Sequence, residues 1–257
     1  MAGTTKSGTI RSGTGGWSYE PWRGVFYPKG LRQKDEQAYA TAHLTAIEIN
    51  ATYYRLQKPK SFAAWAKLAP DGFRYALKAS RYATNRKVLA EAGDSIAKFI
   101  GQGLSELGDR LGPIVWQFAP TKLFDAEDFG AFLDLLPASV DGLPLAHALE
   151  VRHPSFDCPA FVALAKKAKA AIVYADHPDY PCIDADTGGF RYARLMQARE
   201  TEPTGYAPSE IAGWTEKAYD WAKDGKDVYM FFINGAKLRA PAAAMALIDR
   251  MRAEEEQ

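Results

Sequence analysis

The sequence predicts an α/β protein built as one (β/α)8 barrel of the TIM type, with residues 1–257 forming a single domain. Short apolar runs alternate with amphipathic helical segments along the chain, the order expected when parallel strands are joined by right-handed crossovers. The length of 257 residues suits the roughly 250 residues of one such barrel. Polar side chains recur at the ends of the apolar runs, where a barrel gathers them at one mouth. An open doubly wound sheet is the competing architecture, but no GxGxxG follows the first run, and Gly13-Thr14-Gly15-Gly16 leads into an aromatic loop instead.

Ile10 to Thr14 forms the first strand, and Trp17, Tyr19, Trp22, Phe26 and Tyr27 make the loop after it a packed one. Gln33 to His43 supplies a helix and Ala46 to Asn50 the second strand. In Lys58 to Leu68, Phe62, Trp65 and Leu68 recur at helical spacing, and Pro70-Asp71-Gly72 stops the helix. Phe73 to Lys78 is the third strand. Leu89, Ala92, Ile96, Ile100, Leu104 and Leu107 then mark one stripe of a long helix that breaks at Arg110-Leu111-Gly112-Pro113. Ile114 to Phe118 is the fourth strand, and Asp125 caps the helix carrying Phe129, Phe132, Leu133 and Leu136.

Strands at His147 to Val151, Ala171 to Ala175, Phe190 to Leu195 and Val228 to Phe232 complete the set. Helices over Pro159 to Lys169, Ser209 to Lys223 and Pro241 to Glu254 follow the fifth, seventh and eighth strands. Asp176 to Gly189 shows no helical pattern, so the barrel is irregular before its seventh strand. Residues 1–8 and 254–257 are expected to be flexible.

Strand side chains alternate, so Glu48 and Asn50 share a face, with Tyr53 able to line the following loop. Lys78 ends the third strand, and with Arg81 it forms a basic pair suited to a carboxylate or phosphate. A lysine buried among apolar walls also serves as a base or an imine-forming amine. Gln117 suits the orientation of a hydroxyl or amide. Glu150 and Arg152 lie two apart and can face one cavity, Glu150 as acid or base if burial raises its pKa and Arg152 as an oxyanion clamp. His153 enters the loop fixed by Pro154. Asp176, Arg194 and Asn234 finish the polar ring, while Trp17 and Tyr19 offer apolar walls. Glu48, Lys78, Glu150 and Asp176 are thus the catalytic candidates, and a closed Glu-Lys-Arg net with no room for substrate is the bland alternative.

The formal net charge of +1, from 32 Lys and Arg against 31 Asp and Glu, gives no global attraction to a polyanion or an acidic membrane. Aromatics beside Arg and Lys suit a nucleobase, but no basic tract or zinc module accompanies them, so nucleic acid is a disfavoured partner. Cys158 and Cys182 lack CxxC spacing and His43, His147, His153 and His177 lack HExxH spacing. No cofactor is therefore called for by a motif. A divalent metal held by Glu48, Glu150 and Asp176 is the alternative, with phosphodiester hydrolysis as its chemistry. The polar N-terminus lacks the apolar stretch of a signal peptide or membrane span, and a cytoplasmic protein with reduced thiols is expected. Oligomeric state is not encoded in any of these patterns.

Gly13-Thr14-Gly15-Gly16-Trp17-Ser18-Tyr19, Glu48-Ile49-Asn50-Ala51-Thr52-Tyr53-Tyr54, Phe73-Arg74-Tyr75-Ala76-Leu77-Lys78-Ala79 and Glu150-Val151-Arg152-His153-Pro154-Ser155 resemble, in order, the YecE-like family, whose domain has no assigned function. Leu111-Gly112-Pro113 with Gln117-Phe118 and Gly225-Lys226-Asp227-Val228-Tyr229 extend the resemblance. It implies a β/α barrel with Glu48, Asn50, Lys78, Gln117, Glu150, Arg152, His153, Asp176 and Arg194 at the family's polar positions, and no established reaction. The chain departs from the pattern at Arg194-Leu195-Met196-Gln197, where Arg-Leu-His-Gly is expected, and at Phe232-Ile233-Asn234. The most concrete functional expectation is acid/base chemistry on a small anionic or phosphorylated, hydroxyl-bearing metabolite.

Overall fold

A computed structural model describes residues 7–256. Eight strands close a parallel barrel: Ile10–Gly15, Ala46–Ile49, Arg74–Lys78, Leu111–Gln117, His147–Glu150, Ala171–Asp176, Phe190–Leu195 and Asp227–Phe232. Each pairs with its neighbours in sequence, and the eighth closes on the first. Residues 1–6 and 257, where flexible ends are expected, lie outside the described part. Gly8 donates to the Ala222 carbonyl at 2.9 Å, and Glu254 lies in the last helix, Ala240–Glu255. No helix among the described residues is long and apolar enough to cross a membrane.

The helices fall close to their sequence-derived positions, with one substantial exception. The apolar stripe from Leu89 to Leu107 is not one helix but three pieces, a 3-10 turn at Leu89–Glu91, an α-helix at Gly93–Ile100 and a 3-10 stretch at Leu104–Arg110. Gly103 breaks the run: its φ of 102° is left-handed, and a Cβ there would sit 2.8 Å from Pro59. Leu111-Gly112-Pro113, expected as a break, instead begins the fourth strand. A small hairpin, Ser139–Val140 with Leu143–Pro144, was not foreseen. It turns on Asp141-Gly142, both at positive φ, as a tight two-residue hairpin requires. The Asp125 cap is present, its Oδ1 accepting from the Glu127 and Asp128 amides at 3.0 and 2.9 Å.

Between the sixth and seventh strands the chain forms no helix, as expected, yet it must still return to the opposite barrel end. Thr187 anchors that return, donating to the Ala170 carbonyl at 2.7 Å and accepting from the Ile172 amide at 3.2 Å.

Two cores result. The outer one lies between strands and helices and holds most of the large buried side chains. The inner one sets Ala46, Ala76, Ala148, Ala171 and Ala175 against Phe190, Tyr192, Tyr229 and Phe231. Rings from the last two strands thus fill the room left by alanines across the barrel, in the complementary manner of dense interiors.

Candidate functional site

Alternation decides which polar residues meet. Ala46, Ala76, Val115, Ala148 and Tyr192 all belong to the inner core. Residues two positions further along the same strands therefore also point inward. Those residues are Glu48, Lys78, Gln117, Glu150 and Arg194, all buried, and they form the floor and wall of one barrel mouth.

At its centre, Arg194 reaches both acids. Its Nη2 lies 3.0 Å from Glu48 Oε1 and its Nε 3.1 Å from Glu48 Oε2, while Nη1 pairs with Glu150 Oε2. The Tyr192 hydroxyl donates to Glu48 Oε2 at 2.7 Å. Gln117 Nε2 donates to Glu150 Oε2, and Arg152 Nε to Glu150 Oε1, each at 2.8 Å. All four carboxylate oxygens are engaged. Burial alone would push the Glu150 carboxyl up, but Arg194, Arg152, Lys78 and the Gln117 amide outweigh it and hold it down to about 2. The expected rise for Glu150 is thus reversed, because it sits in a ring of cations rather than an apolar pocket. The same acids hold Arg194 firmly charged against its own burial.

Lys78 behaves differently. Its ammonium makes no ion pair or hydrogen bond among the described residues and lies 4.4 Å from the centre of the Tyr53 ring. Burial and the Arg194 charge lower it to about 8, against the smaller opposing pull of Glu48 and Glu150. It opens on a cavity of about 610 Å3 whose lining includes Trp17, Asn50, Tyr53, Gln117, Arg152, Arg194, Asn234 and Lys237. Lys237 escaped the sequence reading because it lies on a turn beyond the eighth strand. Its amine is likewise lowered by burial and lies 4.3 Å from the ring centre of Tyr19, which touches Lys237 but is not itself part of the cavity lining. Tyr192 and Tyr180 were also missed. Tyr180 comes from the irregular loop, stacks on His177 and covers the Arg152 guanidinium, 4.6 Å from its ring centre.

Three expected residues, Asp176, His153 and Arg81, are not gathered as foreseen. Asp176 follows Tyr174 by two positions, and Tyr174 packs outward against Trp214 and Trp221. Asp176 therefore faces a separate outer cavity of about 740 Å3, where Gln197 donates to it at 2.6 Å and burial raises its pKa. Asn234, just past the end of the eighth strand, is exposed and lines both this cavity and the central one. His153 uses Nδ1 to accept the Ser155 amide at 3.1 Å, capping a short turn. Arg81 is exposed on the surface and lies over Tyr82. Lys78 and Arg81 thus form no pair, since a turn begins between them at Ser80.

The three carboxylates proposed for a metal do not converge, Asp176 being outside and the other two engaged by guanidinium groups. Among the described residues, no group of three His, Cys, Asp or Glu side chains is placed to hold an ion. The departures from the family pattern lie close by: Gln197 holds Asp176, and Ile233 packs at Gly15 on the cavity edge.

Comparison with known proteins agrees with this architecture. The chain is 29% identical to the UPF0759 protein YecE of Escherichia coli K12 over 143 residues, 54% of this chain and 47% of that one. It is 27% identical to the UPF0759 protein YunF of Bacillus subtilis 168 over 143 residues, 53% and 49% of the two chains. The matched stretch spans about half the length of these relatives. Solved structures of DUF72 family proteins from Thermotoga maritima (TM-score 0.76, 22% identity, 95% of this chain and 99% of that one) and Enterococcus faecalis (TM-score 0.75, 18% identity, 95% and 96%) share the fold. The family described as protein of unknown function DUF72 matches residues 11–257, and the chain belongs to it.

Proposed function

We propose that the barrel mouth binds a small anionic, hydroxyl-bearing metabolite and that Lys78 moves the proton in its conversion. The observation that carries this reading is the Lys78 ammonium, which lines the cavity on the Tyr53 ring without an ion pair or hydrogen bond among the described residues, while the nearby carboxylates are buried and paired with guanidinium groups. With Glu48 and Glu150 balanced by Arg194 and Arg152, the charges left over at the cavity are those of Lys78 and Lys237, so an anion supplies what the site lacks. An amine titrating near 8 exchanges protons close to neutral pH, whereas a carboxylate held down to about 2 is too weak a base to do so. Glu150 is accordingly a positioning group rather than the proton carrier first expected, and Glu48, with both oxygens bound by Arg194, positions that guanidinium. A purely structural net accounts for those acids but leaves the cavity and Lys78 without a role. For location we propose the cytoplasm, where Cys158 and Cys182, both free, stay reduced.

The test is a heteronuclear NMR titration of the lysine side chains, assigned through Lys78→Arg, with and without inorganic phosphate or lactate. One lysine is expected to titrate near 8 and to shift upward on anion addition, because a bound negative charge favours the ammonium. A Lys78 that titrates with the surface lysines and ignores both anions overturns the reading.

A further inference from the structure

We infer that Lys78 is a nucleophile as well as a proton carrier, its Nζ forming an imine with the carbonyl of a small oxo acid whose carboxylate is held by Arg152. This rests on the anion-site reading above and adds to it a substrate class and a covalent step. Imine formation needs an amine with access to a cavity and no ion-pair partner, and Lys78 meets both conditions. Its ammonium rests on the Tyr53 ring face rather than on a carboxylate, and the cavity has room for a small molecule.

Arg152 supplies the second half. Its Nε is taken by Glu150 and its Nη1 by the Tyr180 hydroxyl at 3.4 Å. Nη2 has no acceptor among the described residues, and the residue lines the same cavity as Lys78. An oxo acid presents a carboxylate and a carbonyl one or two carbons apart, the pair of groups this guanidinium and this amine are suited to receive. The locked acids strengthen the argument. Chemistry by separate acid and base groups needs two proton carriers, and both inward carboxylates are committed to arginines. An imine needs fewer, since once protonated it is itself the electron sink.

The step balances without a further reagent. The neutral amine attacks the carbonyl carbon and forms the C–N bond. Its two protons pass to the carbonyl oxygen, the C–O bond breaks and water leaves. One proton from solvent makes the iminium, and hydrolysis returns Lys78. Burial first, and then the like charges of Arg194 and Arg152, favour the neutral amine that starts the sequence, against Glu48 and Glu150.

The experiment is borohydride reduction of the full chain in the presence of pyruvate or acetoacetate at pH 7, followed by peptide mass mapping. Reduction is expected to fix the probe on the Lys78 peptide roughly tenfold or more faster than on surface lysines, reflecting its larger free-amine fraction. Inorganic phosphate should slow it, and Lys78→Arg should remove it. Labelling of Lys78 no faster than of surface lysines overturns the imine. If phosphate nevertheless shifts the Lys78 titration, the anion site stands and only the covalent step falls; if it does not, both fall.

Discussion

Glu150 shows how neighbours decide a side chain's chemistry. The same residue in an apolar pocket would be a weak acid available near neutrality, but between Arg194, Arg152 and Gln117 it is a permanent anion. Its carboxyl ionises near 2 when folded, against an ordinary 4.5. It therefore contributes stability above about 4.5 that is progressively lost as the pH falls toward 2, to a total of ~3 kcal/mol. Glu150→Gln should lose most stability at pH 7 and least at pH 3, as read by urea midpoints across that range. An unchanged pH slope would mean that the carboxylate is not held down in the folded state. If Glu150 only positions Arg152, the same variant should weaken anion binding rather than abolish proton transfer alone.

At the level of single elements, glycine and strand parity explain the departures from sequence expectation. The stripe from Leu89 to Leu107 is legible as apolar spacing, but spacing does not reveal that Gly103 lies left-handed against Pro59. Gly103→Ala should cost about 1–3 kcal/mol in chemical denaturation, from backbone strain and the contact with Pro59 together; a neutral result would show that the break can move. The sixth strand, Ala171–Asp176, is apolar on both faces, as a strand covered on both sides must be. No alternation in its sequence told inward from outward, and Asp176 was for that reason assigned to the wrong side. The second, third and fifth strands carry the same ambiguity, and there the assignment of Glu48, Lys78 and Glu150 to one mouth agrees with the structure.

Across the whole molecule, the inner core is an asymmetric filling in which Phe231, Tyr229 and Tyr192 support the charged floor from beneath. Phe231→Ala should destabilise the barrel by about 3–5 kcal/mol in thermal or denaturant unfolding, since the facing alanines cannot reach across the cavity left behind. A much smaller loss would mean that the strands collapse inward. The sequence by itself determined the barrel, because eight apolar runs of strand length separated by mostly helical segments leave a parallel chain few other ways to bury them. It also marked Glu48, Lys78, Gln117, Glu150 and Arg194 as polar groups at strand ends, where a barrel exposes them. Only the tertiary structure decided that the two acids are spent on Arg194, that Lys78 is left without a counter-ion and joined by Lys237 from a distant turn, and that Asp176 stands outside. Those outcomes depend on distances of a few ångströms between side chains far apart in sequence, 146 positions for Arg194 and Glu48, and Coulomb and hydrogen-bond energies are set by distance in space and not by order along the chain.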